Sequence, residues 1–160
     1  MKILHDLREK DPWNFRQIHE APPVARLAFS VERRHLQTGD YTLEGHEGEI
    51  AIERKSPKDC VNTLTQDLTR FNAEFERMNG IESYVIVETT LTRQIGGNVC
   101  DYNRILASAR RRRSLERGLV LMALKHPNIH WIFCNDRDEA ERAAFRILYR
   151  FWLRRHPPDG

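Results

Sequence analysis

The sequence has little cysteine and no long hydrophobic run. Its three cysteines, Cys60, Cys100 and Cys134, are far apart and form no CxxC pair, so neither a disulfide framework nor a zinc cluster is expected. No apolar stretch approaches the roughly 18 residues that predict a membrane span, and the first ten residues lack a signal peptide's apolar segment. We therefore expect an intracellular protein without membrane contact, in a prokaryote, a phage-infected host or a nucleus.

The sequence also lacks a strong excess of charge of one sign, internal repeats and low-complexity segments. Its 26 basic and 23 acidic residues leave a formal net charge of +3, which permits binding to a polyanion without establishing it. A chain of 160 residues, 40% of them hydrophobic, is long enough to build one domain with its own core. We expect a single domain over residues 1–155 and a frayed tail over 156–160.

Hydrophobic patterns along the chain predict strands that alternate with helices. One long helix is expected from a cap at Ser56, with Pro57 in its first turn, to Asn79, and its apolar residues form one continuous stripe. The other expected helices are 114–126 and 136–155, and the expected strands are 2–6, 27–33, a hairpin over 41–53, 84–87 and 129–133. This order predicts an α/β sandwich of three layers, with a mixed central sheet flanked by helices.

Two carboxylates and a lysine stand around the predicted hairpin. Asp40 begins it directly after Gly39, whereas Glu53 and Lys55 are two residues apart on the returning strand and therefore share one face. Phosphodiester cleavage requires a hard cation with oxygen ligands and a group that assists the attacking water. We expect Asp40, Glu53 and the Arg54 carbonyl to hold Mg²⁺ or Mn²⁺, and Lys55 to orient the water.

Two motifs resemble those of a known nuclease family. Gly39-Asp40-Tyr41, followed by Glu53-Arg54-Lys55-Ser56 and then Asp59, is similar to the GD…ERKxxxD motif of the XPF (ERCC4-type) family within the PD(D/E)XK superfamily. The opening Asp6-Leu7-Arg8-Glu9 is similar to that family's VDxRE motif, with His5 where an aliphatic residue is usual. The resemblance implies a restriction-endonuclease-like fold and a metal-dependent endonuclease that cuts flap, fork or junction DNA in repair or recombination.

The resemblance also implies roles for the neighbouring residues. Asp6 and Asp59 would belong to the catalytic group, with Glu9 as a possible support, and Arg8 and Arg54 would contact DNA, unless Arg54 braces the carboxylates. Each has a simpler alternative: Asp59 caps a helix, and Asp6, Arg8 and Glu9 form a salt bridge at a strand end. An alternative for the whole chain is an inactive module that binds DNA or a partner.

Four further features bear on DNA binding and assembly. The run Arg110, Arg111, Arg112 and Arg113 is a candidate phosphate contact or a solvated face, and residues 89–103 are expected to form a loop near the site. Trp13 and Phe15 are expected in the core rather than stacked on bases. Because helix-hairpin-helix and helicase segments of the resembled family are not found in the sequence, a separate DNA-gripping partner is possible.

The last predicted helix carries two apolar stripes. One stripe contains Ala140, Ala144, Ile147, Leu148 and Phe151 and should face the sheet. The second contains Phe145, Tyr149 and Trp152, and it would pack under the loop 89–103 or against a second chain. Because three exposed aromatic residues are unusual on a monomer, and the resembled nucleases pair through C-terminal helices, we expect a homodimer through this helix.

Overall fold

The computed structural model describes residues 1–16, 18, 28–90 and 109–157, apart from the side chains of 109–111. These residues form six strands and four helices. The strands are β1 (Lys2–Asp6), β2 (Ser30–Arg34), β3 (Tyr41–Leu43), β4 (Ile50–Lys55), β5 (Glu82–Val87) and β6 (Ile129–Phe133). The helices are α1 (Pro57–Thr65), α2 (Leu68–Arg77), α3 (Ala109–Lys125) and α4 (Arg137–Arg155).

The strands form one mixed sheet in the order β2-β1-β3-β4-β5-β6. β3 pairs antiparallel with both β1 and β4, and β3 with β4 forms the hairpin. The other neighbouring pairs, β2 with β1, β4 with β5 and β5 with β6, are parallel. Parallel neighbours need crossover connections, and α1 with α2 supplies the one between β4 and β5. The predicted mixed α/β sheet with helices on its faces is confirmed.

Two apolar layers cover the two faces of the sheet. Ile50 and Ile52 of β4 pack in one cluster with α4, whereas Ala51 between them belongs to the cluster that contains α1, α2 and α3. Because side chains alternate along a strand, Glu53 and Lys55 lie on the α1/α2 side and Arg54 on the α4 side. This alternation decides which of the three residues enter the site.

The long helix predicted from Ser56 to Asn79 is wrong, because it is two helices. α1 ends at Thr65, where the amides of Gln66 and Asp67 both bond to the Asn62 carbonyl, and α2 begins at Leu68. The apolar stripe does not reveal the break, since both helices bury their apolar residues in the same layer. The predicted start is confirmed: Ser56 caps α1 and Pro57 occupies its first turn.

The second stripe of α4 is covered within the chain. Phe145 and Tyr149 are 0% and 6% exposed, and the Phe145 ring packs against Phe29 and Phe15 at centroid distances of 4.9 and 6.2 Å. The expectation that this stripe forms an uncovered patch is therefore wrong. The expected loop 89–103 lies mostly outside the described residues, as do residues 158–160 of the tail. Trp13 and Phe15 lie in the core, as predicted.

Candidate active site

The start of the hairpin holds Asp40 in place through its backbone. The Asp40 amide donates to the Ile52 carbonyl at 2.8 Å, and its Oδ2 accepts from the Arg54 amide at 2.8 Å. Gly39 has φ +69°, and a Cβ there would lie 3.1 Å from the Ile52 oxygen. Glycine is the residue that adopts this conformation without a steric penalty. The turn therefore sets Asp40 beside the end of β4.

Glu53 and Lys55 meet on the α1/α2 face of β4, as predicted. The Lys55 ammonium hydrogen-bonds to Glu53 Oε1, and it lies 3.9 Å from the centroid of the Phe71 ring on α2. The two side chains are only 9% and 5% exposed. Glu53 Oε2 is buried and has no hydrogen-bond partner among the residues that the structure describes, which is costly for a carboxylate unless another ligand satisfies it.

Burial disfavours the charged form of each of the three side chains. It raises the pKa of Asp40 to about 7, against the opposing effects of the Arg54 amide and the Lys55 charge. Burial, together with the nearby charge of Asp40, raises the pKa of Glu53 well above its usual range. Burial lowers the pKa of Lys55, but the attraction and hydrogen bond of Glu53 together with the charges of Asp40 and Glu74 outweigh it, and the net shift is upward. Within the described residues, the positive charge near Asp40 and Glu53 does not offset the cost of ionising both carboxylates.

A cleft of about 310 Å³ opens over these residues. Asp67 and Arg70 of the α1–α2 region line it although the sequence did not single them out. The predicted residues that also line it are Glu9, Asp40, Glu53, Arg54, Lys55 and Asp59. The structure therefore brings together most of the predicted group, and places α2 along one wall.

Arg54 braces carboxylates, the second of its two predicted roles. Its guanidinium makes two hydrogen bonds to Glu88 at 2.8 and 3.0 Å and one to Glu9 at 3.0 Å. The side chain is 10% exposed, and its guanidinium carbon lies 5.7 Å from the Trp13 ring. These contacts occupy the guanidinium, so the geometry does not favour the predicted contact with DNA. Glu9 is held at the cleft by Arg54, and its supporting role stays a prediction.

Asp6 lies beside the cleft rather than in its lining. It is 1% exposed, and its carboxylate accepts hydrogen bonds from the amides of Arg8 and Leu36 and from the Arg8 guanidinium, at 2.6 to 3.3 Å. The Asp6 amide donates to the Asp40 carbonyl at 2.9 Å. These bonds lower the pKa of Asp6 although burial opposes them. The geometry favours a bracing role for Asp6 over the predicted catalytic one.

Asp59 lies in the first turn of α1 and bonds to the residue that caps it. Its amide donates to the Ser56 hydroxyl at 3.2 Å, so Ser56 is the helix cap, and the Ser56 hydroxyl bonds in turn to the Asp59 carboxylate at 2.5 Å. The carboxylate also stands on the cleft wall. Asp59 is thus placed where it can reach a bound substrate or water, and its catalytic role stays a prediction.

The arginines considered as DNA contacts lie at the cleft, just after β1, and on α3. Arg8 has a side chain 69% exposed while it pairs with Asp6, and Arg70 is exposed on α2. Among the described residues no acidic side chain forms a salt bridge with Arg70. Arg112 and Arg113 lie exposed in α3, whereas the side chains of Arg110 and Arg111 fall outside the described residues. Arg70 could have been predicted as a cleft residue only if the start of a second helix at Leu68 had been recognised. The periodicity of the apolar residues does not reveal that start.

The donor set fits a hard divalent cation. Mg²⁺ is usually held by one or two carboxylates with waters completing its shell, and Asp40 and Glu53 supply two carboxylates at one cleft. The observation that fits such a ligand is the buried Oε2 of Glu53, which accepts no hydrogen bond within the described part of the chain. The described residues contain no group of three or more His, Cys, Asp or Glu side chains arranged to hold a metal, so waters would complete the shell.

Comparisons with known proteins identify the class and then the family. The fold matches XPF from Aeropyrum pernix with a TM-score of 0.63 and 21% identity, over 95% of this chain and 61% of that one. The structure of XPF from Aeropyrum pernix in complex with DNA matches with a TM-score of 0.59 and 21% identity, over 99% and 68%. The fold is therefore that of the XPF nuclease domain.

The family follows from the sequence itself. The ERCC4 domain profile matches residues 6–145, so the chain belongs to the ERCC4 domain family, as its motifs predicted. Comparison with curated protein sequences gives no match. The chain spans about three fifths of the length of the first archaeal structure. Within the described residues, every helix is too short or too polar to cross a membrane.

Proposed function

We propose that this chain is a Mg²⁺- or Mn²⁺-dependent endonuclease that hydrolyses phosphodiester bonds in branched DNA, such as flaps, forks or junctions, during repair or recombination. The observation that carries the proposal is the group of Asp40, Glu53 and Lys55 at a polar cleft, in which Glu53 and Lys55 are buried and one Glu53 oxygen has no hydrogen-bond partner among the described residues. Family membership and the likeness to a protein crystallised with DNA support the substrate class. An intracellular location is part of the same proposal.

The residues at the cleft have complementary roles in this reaction. Asp40 and Glu53, with the Arg54 carbonyl as a further donor, would hold the cation, which would neutralise phosphate charge and acidify a water. Lys55 would donate a hydrogen bond to the attacking water or to the phosphate. Asp59 would orient water from the start of α1. Asp6, Glu9 and Arg54 would keep the carboxylates in place through the hydrogen bonds described above.

DNA contacts are expected from cations around the cleft. Arg70 is exposed on the cleft wall without a salt-bridge partner among the described residues. Arg8 is exposed just after β1, where it pairs with Asp6 outside the cleft lining. Both can contact phosphates, which position a duplex without reading its sequence. The α3 arginines, Arg110 to Arg113, remain proposed contacts. A separate protein that grips DNA is a further proposal, which a dependence of cleavage on added partner would support.

The decisive test is cleavage of labelled duplex, flap, fork and junction DNA by the purified chain with Mg²⁺ or Mn²⁺. We expect cuts in branched substrates that leave 5′ phosphate and 3′ hydroxyl ends. Asp40→Asn should abolish cutting with DNA affinity kept or increased, and Lys55→Ala should slow it by about 10² or more. Binding without cleavage at any metal concentration would instead support the inactive DNA-binding module.

Pairing of two chains through α4 stays a prediction. The exposed aromatic stripe that suggested it is not seen, because most of that stripe is buried within the chain. Phe145 and Tyr149 are buried in one chain, and Trp152 is half-buried with His156 stacked on its ring at 4.8 Å. Light scattering coupled to size-exclusion chromatography measures the mass directly. A mass of one 18.9 kDa chain at micromolar concentration would contradict pairing, whereas a dimer split by Trp152→Glu would support it.

A further inference from the structure

The ring of Phe71 forms the floor against which the Lys55 ammonium rests. Lys55 Nζ lies 3.9 Å from the ring centroid, well within the distance at which a cation is attracted to a ring face. Phe71 is 1% exposed and packs edge-on against Phe75, with ring centroids 5.1 Å apart. The ring is therefore fixed in the apolar layer, and it meets the ammonium from the α2 side of the cleft.

The two contacts of the ammonium differ in how they behave during the proposed reaction. Lys55 has three N–H donors on a flexible stem, and Glu53 accepts from one of them. If Glu53 turns its oxygens towards a divalent cation, this hydrogen bond weakens. The ring of Phe71 is neutral and binds no cation of that kind in competition, so its contact remains. The ring is thus the constant partner of the Lys55 ammonium.

We propose that Phe71 is a positioning residue for the nuclease reaction, whose ring face holds the Lys55 ammonium so that a remaining N–H points into the cleft. The inference rests on the proposed function and adds a residue outside the sequence motifs. Because α2 begins at Leu68, its first turn carries Arg70, which lines the cleft, and Phe71, whose ring contacts Lys55.

Two variants and one unnatural residue separate the ring's electronic effect from its packing. Phe71→Leu removes the ring, and 3,4,5-trifluorophenylalanine at position 71 keeps the ring but withdraws negative charge from its face. Phe75→Leu is the matched control, because Phe75 is equally buried in the same layer and touches Phe71. Thermal unfolding of each variant is recorded first, and all measurements are made well below the lowest midpoint.

Single-turnover cleavage of a branched DNA provides the first readout. We expect the Phe71→Leu and trifluoro variants to be at least tenfold slower than the wild type, with the DNA dissociation constant and the metal half-saturation changed less than twofold. Phe75→Leu should slow the reaction less than threefold. A Phe71→Leu rate equal to that of Phe75→Leu in an active wild type would overturn the inference while leaving the proposed function intact.

The second readout requires no cleavage. The side-chain proton signals of Lys55, assigned by their loss in Lys55→Arg, should be shifted upfield by the ring current of Phe71. The shift should persist in Phe75→Leu and disappear in Phe71→Leu. Unshifted Lys55 signals in the wild type would overturn the inference whatever the rates. A wild type that cuts no DNA would instead refute the proposed function, and with it the catalytic part of the inference.

Discussion

Asp40 is held in a setting that resists its ionisation. Its pKa of about 7 lies above the value of about 3.9 in an unfolded chain. Between these values the folded chain binds more protons than the unfolded chain, so the free energy of unfolding falls as pH rises through this window. A cation at the site would compensate the charge. We therefore expect Asp40 to lower stability above pH 7 in metal-free solution.

Asp40→Asn tests this expectation, because asparagine keeps an oxygen for the Arg54 amide and carries no charge. In metal-free buffer we expect its thermal midpoint to equal that of the wild type near pH 4 and to exceed it by about 2 °C or more at pH 8. Glu116→Gln, at an exposed carboxylate of α3, is the control for removing one negative charge from the chain. An Asp40→Asn midpoint below the wild type at pH 8 would contradict the proposed electrostatics.

Gly39 is required by both conformation and space. Alanine there would have φ +69° and a Cβ 3.1 Å from the Ile52 oxygen and 3.2 Å from the Ala51 Cβ. We expect Gly39→Ala to cost about 1 to 3 kcal/mol and to lower cleavage by displacing Asp40. Gly48→Ala, in the same hairpin with open space around it, is the control. Urea unfolding of both variants measures the difference, and equal stabilities would refute the steric argument.

At this scale, how much of the site can be predicted depends on how far apart its residues lie along the sequence. Asp40, Glu53 and Lys55 are predictable because one hairpin brings them together and the strand's alternation orients them. The bonds from Arg54 to Glu88 and the contact of Lys55 with Phe71 join residues on different elements. No local pattern encodes such contacts, since they depend on how β5 and α2 pack beside β4.

At the scale of elements, the sequence predicts where helices and strands occur better than where they are interrupted. β6 is found at its predicted residues and α4 starts within one residue of its prediction. The break between α1 and α2 is missed because Val61, Leu64, Phe71 and Phe75 keep helical spacing across it while packing in one layer. The periodicity of apolar residues shows which face of a helix is buried. Two successive helices that bury the same face therefore give the same periodicity as one continuous helix.

The crossing of α1 and α3 gives a prediction with an unusual sign. Glycine inside a helix is ordinarily about 1 kcal/mol less favourable than alanine. At Gly118 of α3, however, a Cβ would lie 2.1 Å from the Leu64 carbonyl oxygen of α1, which forces the backbones apart. We expect Gly118→Ala to destabilise the chain by about 1 to 3 kcal/mol, measured by urea unfolding. A stabilised variant would show that the helices do not approach this closely.

At the scale of the whole molecule, the positions of the charges say more about DNA binding than the net charge does. The net charge is +3, yet the cleft is lined by several carboxylates and by the exposed Arg70, and Arg8 is exposed after the end of β1. DNA held by such cations releases counterions, so affinity should fall steeply with salt. The sequence already predicts this salt dependence, but not which arginines are exposed where DNA would bind, because that depends on the fold.

Arg70→Ala makes that dependence testable at one residue. Losing one phosphate contact should weaken DNA binding and reduce the slope of log affinity against log salt by about 1. The control is Arg154→Ala, because Arg154 lies on α4 and pairs with Glu82 at 2.6 Å; its slope should equal that of the wild type. Both are measured by fluorescence anisotropy with a labelled fork in Ca²⁺, at several salt concentrations. An unchanged slope for Arg70→Ala would place the bound DNA away from this wall of the cleft.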